Sequence, residues 1–103
     1  MFPKDMGGMM KKAQQMQKEM ARIQKEIEEL KIDGQSGGGL VKVVVSGKKK
    51  ILSIDIDSDV MKEDKEMVED LILSATNQAL ENIDKISKDK MAPVTGGLNI
   101  PGL

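Results

Sequence analysis

The chain contains no cysteine and no histidine. That excludes disulfides, thiolate metal sites, thiol nucleophiles and the commonest general base. Aromatic side chains are nearly missing too, with Phe2 the only one, so a core must be assembled from Ile, Leu, Val, Met and Ala. No stretch is long and apolar enough to span a bilayer, and the N-terminal MFPKDMGGMMKKA lacks the continuous apolar run of a signal peptide. The expected location is therefore the cytoplasm, with no membrane partner. Neither sign of charge is in excess: 16 basic and 17 acidic residues give a net charge of −1. Gross electrostatic attraction to nucleic acid is not to be expected from that sum.

What is present is unevenly placed. A length of 103 residues allows one domain with a modest core. Nine methionines contribute to it, and Met fills irregular gaps while specifying packing weakly, so a second subunit would define such a core better. The charge is polarised along the chain. Residues 1–25 carry Lys4, Lys11, Lys12, Lys18, Arg22 and Lys25 against Asp5 and Glu19, whereas residues 58–84 set Lys62 and Lys65 against eight carboxylates.

From Met9 to Leu30 the apolar residues Met9, Ala13, Met16, Met20, Ile23, Ile27 and Leu30 recur at alternating steps of four and three. This spacing predicts a helix from near Met9 to about Glu29, carrying either a coiled-coil seam or a stripe that covers the domain's own core. Pro3 and Gly7–Gly8 read as a loose lead before it. Its lysines lie near the N-terminus and Glu26, Glu28 and Glu29 near the C-terminus, against the helix dipole.

Lys31 to Ser36 reads as a short strand, with Ile32 inward and Gly34 weakening it. Gly37-Gly38-Gly39 is a loop. Leu40 to Ser46 is a second strand, with Val41, Val43 and Val45 on one face and Lys42 and Val44 on the other. A hairpin turn at Gly47 and the lysines 48–50 leads into Ile51 to Asp57, whose alternation puts Leu52, Ile54 and Ile56 inward. After a polar connection from Asp59, Asp64 caps a second long helix, in which Met67, Val68, Leu71, Ile72, Ala75, Ala79, Leu80, Ile83 and Ile86 form a broad apolar face. Pro93 is expected to end it near Met91. The reading is an α+β domain over residues 1–92, followed by a flexible Gly/Pro-rich tail over 93–103 unless Leu98, Ile100 and Leu103 find a groove.

Lengths argue for a homodimer. Strands of about six residues are about 20 Å long, and three of them span under about 15 Å. The helices measure about 33–40 Å. The sheet cannot shelter them along their length, and each Met, Ile or Leu left in water forgoes about 1.5–3 kcal/mol. A symmetric pair is the simplest remedy. Met16, Met20, Ile23, Ile27, Leu80 and Ile83 are the candidate dimerisation residues. In an antiparallel meander the second helix returns across the sheet and passes beside the N-terminal half of the first. The resulting arm sets Lys11, Lys12 and Lys18 near Lys85, Lys88 and Lys90.

Opposite the apolar seam, Lys11, Lys18 and Lys25 fall in a stripe about 21 Å long, with Arg22 nearby. It can follow a row of phosphates; an ordinary solvated face has the same pattern. Lys48-Lys49-Lys50 can touch phosphates or simply discourage edge pairing. Asn77, Gln78 and Asn82 can hydrogen-bond bases or form a plain polar face. Asp55, Asp57, Asp59 and Glu66 match positions of a calcium loop, but Val60 stands where its sharp turn needs Gly. The Gly37–Gly39 run has neither a Lys-Ser/Thr pair nor a helix after it, so it is not a phosphate-binding loop. No catalytic, metal or cofactor constellation is found, and no small-molecule substrate is expected.

Four stretches resemble the YbaB/EbfC family of bacterial nucleoid-associated DNA-binding proteins. They are MMKKAQQMQKEM, the run GGGLVKVVVSGKKKILSIDID from Gly37, DKEMVEDLILSATNQAL, and the closing TGGLNIPGL. The resemblance implies an α-β-β-β-α protomer and an intertwined homodimer whose projecting helices grip duplex DNA. It also implies a role in nucleoid organisation or gene expression, without catalysis. DNA contacts on the long helices would then fall to Lys11, Lys12, Lys18, Arg22, Lys25, Lys85 and Lys88. With one arginine and no Trp, Tyr or His, extensive direct base readout is not expected. The alternative class is a protein-interaction module that docks a partner through its Met-rich helices and apolar tail.

Overall fold

The computed structural model describes residues 2–95, with side chains from 7 to 94. Helix α1 spans Phe2–Glu28, strands β1, β2 and β3 span Lys31–Ser36, Val41–Ser46 and Ile51–Ile56, and helix α2 spans Lys65–Thr95. The strands form an antiparallel meander in the order β1-β2-β3. This is the expected α-β-β-β-α architecture.

Both helices outrun their predicted ends. Pro3 falls in the first turn of α1, where no N–H is needed, and glycine can adopt helical angles, so Gly7 and Gly8 weaken the helix without breaking it. Pro93 lies inside α2. It forfeits a single hydrogen bond in the last turn, and that turn is supported from the side, because Pro93 and Val94 face α1 across a groove. Leu98, Ile100 and Leu103 lie outside the described residues. At the other end of α2, the Asp64 carboxylate accepts the Met67 backbone N–H at 3.0 Å, the N-cap expected there.

The core forms where α2 lies over β1 and β2. Val41, Val43, Val45, Val60, Ala75, Ala79 and Ile83 are buried in it. Gly34 is what lets the layers meet. A Cβ at Gly34 would overlap the Ala75 carbonyl oxygen and the Ala79 amide nitrogen, so here glycine serves close approach. Gly47 is pressed against the last turn of α1 in the same way; a Cβ there would overlap the Ile27 carbonyl. Its N–H donates to the Leu30 carbonyl at 3.0 Å, which ties the β2–β3 turn to the α1–β1 junction.

Strand β3 departs from its predicted facing. The register with β2 sets Val41 opposite Ile56, Val43 opposite Ile54 and Val45 opposite Ile51, with a bulge between. Leu52 is the extra residue, so Ile51 replaces it on the valine side of the sheet. Ile56 packs against the core, but Ile51 and Ile54 remain 52% and 47% exposed and the bulged Leu52 48%, because α2 packs chiefly on β1 and β2.

The protomer is long. Its extents are 75 × 23 × 16 Å and its radius of gyration is 20.1 Å, against about 13 Å for a compact domain of 100 residues.

Candidate nucleic-acid interface

Burial fixes how α1 is turned. Ile23 and Ile27 are buried, Met16 is half-buried, and the same stripe runs out to exposed Met20 and Met9. At 100° per residue, Lys11, Lys18 and Lys25 stand about half a turn away from Ile27. All three are exposed. Lys12 lies on the side facing α2, where it lines a groove with Met16, Ile23, Lys90, Pro93 and Val94. The tail end of α2 thus passes beside the first half of α1, as the meander requires. Lys85 and Lys88 are exposed on α2 and do not line this groove.

The lysines divide by their partners. Lys48 reaches Glu28 at 4.0 Å, Lys49 reaches Asp84 at 2.8 Å, and Lys62 and Lys65 pair with Asp59 and Glu69. All four belong to the sheet end of the molecule. Among the described residues, Lys11, Lys12, Lys18, Lys25, Lys85 and Lys88 have no carboxylate within ion-pair distance. The near-zero total charge therefore conceals uncompensated lysines on the long helices. This distribution is what a polyanion would sense.

Arg22 is placed differently. Its guanidinium donates to Glu19 at 2.8 and 3.1 Å and to Glu26 at 2.7 Å. The Arg22 hydrogen bond and then its charge hold the Glu19 carboxyl below the usual 4.5, and Glu19 in turn raises the guanidinium. Arg22 would have to exchange these carboxylates for a phosphate.

The candidate dimerisation residues also separate. Ile23, Ile27 and Ile83 are buried within one protomer and Leu80 is half-buried, so their apolar area is largely spent on the chain's own packing. Met16 and Met20 keep exposed surface. Exposure grows toward the helix start, reaching 71% at Met9 and 61% at Met10.

Gln78 and Asn82 have structural roles. The Gln78 Oε1 accepts the Gln35 backbone N–H, and the Asn82 Nδ2 donates to the Asp33 carbonyl at 3.1 Å. The one sequence signal for this was their spacing of four, beside the Ala75–Ala79–Ile83 row.

Residues 2–98 match the YbaB/EbfC DNA-binding family. The chain belongs to that family. It is 47% identical over 100 residues to the nucleoid-associated protein Teth39_2199 of Thermoanaerobacter pseudethanolicus, covering 96% of this chain and 90% of that protein. Among solved structures, the crystal structure of the uncharacterized protein HP0035 from Helicobacter pylori aligns with a TM-score of 0.62 at 25% identity. That alignment covers 75% of this chain and 90% of HP0035. Within this YbaB/EbfC chain, Lys11, Lys12, Lys18, Lys25, Lys85 and Lys88 on the two long helices carry no ion pair among the described residues, and no helix among the described residues is long and apolar enough to cross a membrane.

Proposed function

We propose that this YbaB/EbfC protein is a nucleoid-associated DNA-binding protein that grips duplex DNA as a homodimer, with projecting helices as the prongs. The observation that carries the reading is the unneutralised row Lys11, Lys18 and Lys25 on the outer side of α1, with Lys12, Lys85 and Lys88 as further contacts. Every lysine ion pair lies elsewhere. Contacts run chiefly to backbone phosphates, each releasing counterions, so sequence preference is limited. Association of two copies is favoured by the exposed methionines of α1, each burial being worth about 1.5–3 kcal/mol. The protein works in the cytoplasm, on the nucleoid, affecting its organisation or gene expression. It needs neither cofactor nor catalysis.

A gel-shift series across salt tests this. Affinity should fall steeply between 50 and 200 mM salt, by about a thousandfold for six phosphate contacts. The triple variant Lys11→Glu, Lys18→Glu, Lys25→Glu should lose binding with its circular dichroism unchanged. Wild-type affinity in that variant would overturn the assignment.

A further inference from the structure

The arm made by the two long helices has a front and a back. Lys12, Gln15, Glu19 and Ile23 of α1 line the groove shared with Lys90, Pro93 and Val94 of α2. At 100° per residue, Met10, Gln14, Gln17 and Ala21 stand about half a turn from those residues, on the side of α1 away from α2. With Gln24 they recur at steps of four, three, four and three, so they form one row along the helix. All of them are exposed.

The row is uncharged from Met10 to Gln24. Between positions 7 and 27 the carboxylates of α1 are Glu19 and Glu26, which line the α2 groove and hold Arg22. Gln35 and Gln78 engage their amides within the fold. Gln14, Gln17 and Gln24 have no side-chain hydrogen bond among the described residues. Lys11, Lys18 and Lys25 border the row, about a quarter turn away. A helix seated in the major groove needs this cross-section, with a base-facing row, cations toward the phosphates and its bulk behind. That groove is about 12 Å wide and admits one α-helix.

We propose that α1 enters the major groove with α2 behind it, and that Gln14 and Gln17 read adenine. The proposal rests on the DNA-binding reading above and deepens it by adding a preference for A·T pairs. A glutamine amide offers one donor and one acceptor, which match N6 and N7 of adenine in the major groove. The Ala21 methyl suits the thymine methyl beside them. Side chains that select G·C pairs are missing from the row, which has no arginine for guanine and no carboxylate for cytosine. From Gln14 to Gln24 it is about 15 Å long, enough for about four base pairs. Readout is therefore short, and the lysine contacts to phosphate still supply most of the affinity.

Binding of the full chain to three duplexes of one length, at one salt concentration, tests this. One is A·T-rich and one is G·C-rich. The third is the A·T-rich duplex with 7-deazaadenine in place of adenine, which lacks N7 but keeps the same minor groove. The A·T-rich duplex should bind at least about fivefold more tightly than either of the others. Gln14→Ala with Gln17→Ala should remove that difference, with circular dichroism and the salt slope unchanged, because no phosphate contact is lost. Equal wild-type affinity for all three duplexes overturns the row and leaves DNA binding standing. So does an A·T preference that survives 7-deazaadenine or the double variant, which would place the readout in the minor groove or in DNA shape. A wild-type protein that binds none of the duplexes overturns both.

Discussion

Gly34 on β1 lies directly against Ala79 on α2: a Cβ built on the glycine would stand 2.8 Å from the Ala79 Cα. No real Cβ tolerates that. The obstruction is backbone, so no side chain can swing aside to relieve it. This approach sets the height of α2 above β1 at that crossing.

Gly34→Ala is therefore expected to cost more than about 4 kcal/mol, or to abolish folding, since it forces two backbones apart. Gly38→Ala is the control. Its site is open space with φ of 69°, so only the left-handed strain of about 1–2 kcal/mol applies. Urea unfolding distinguishes the two.

Removing the covers of the β1 edge should be felt twice. Asn82→Ala and Gln78→Ala should each lower stability by about 1 kcal/mol, the usual net value of a lost hydrogen bond. The double variant also exposes a second sheet edge, so light scattering should show concentration-dependent association beyond a dimer.

Glu19 governs how free Arg22 is. Because its carboxyl is depressed by the Arg22 hydrogen bond and charge, the pairing is in force above 4.5 and is lost as pH falls through the lower folded value. NMR titration of Glu19 should give a midpoint below 4.5. At neutral pH, Glu19→Gln with Glu26→Gln should release Arg22 for phosphate. DNA binding would then tighten, and the slope of log K against log salt would steepen by about 0.9 for one added contact.

The stripe lysines should act alike and independently. Replacing Lys11, Lys18 or Lys25 singly by Ala should weaken binding equally on unrelated duplexes and flatten the salt slope by about 0.9 each. A variant whose loss depends on DNA sequence would instead mark a base contact.

Asp64→Ala tests the start of α2 and should lower stability by about 1 kcal/mol, as loss of an N-cap does. Chemical denaturation reads it.

Periodicity and turn chemistry alone determined the element order. The seam from Met9 to Leu30, the alternation in β2, the cap at Asp64 and the lysines opposite Ile27 were all legible, because each depends on neighbours within a few positions. Helix ends at Pro3, Gly7 and Pro93 were not, since such residues bias a helix without always ending it, and at Pro93 the last turn is supported by α1. Tertiary structure alone gave Gly34 its purpose, moved Ile51 into the place of Leu52 through a bulge, and turned Gln78 and Asn82 from a polar face into the covers of an edge. It also separated the lysines that are neutralised from those that are not. These outcomes depend on which residues distant in sequence are brought to within a few ångströms, and no local pattern carries that distance.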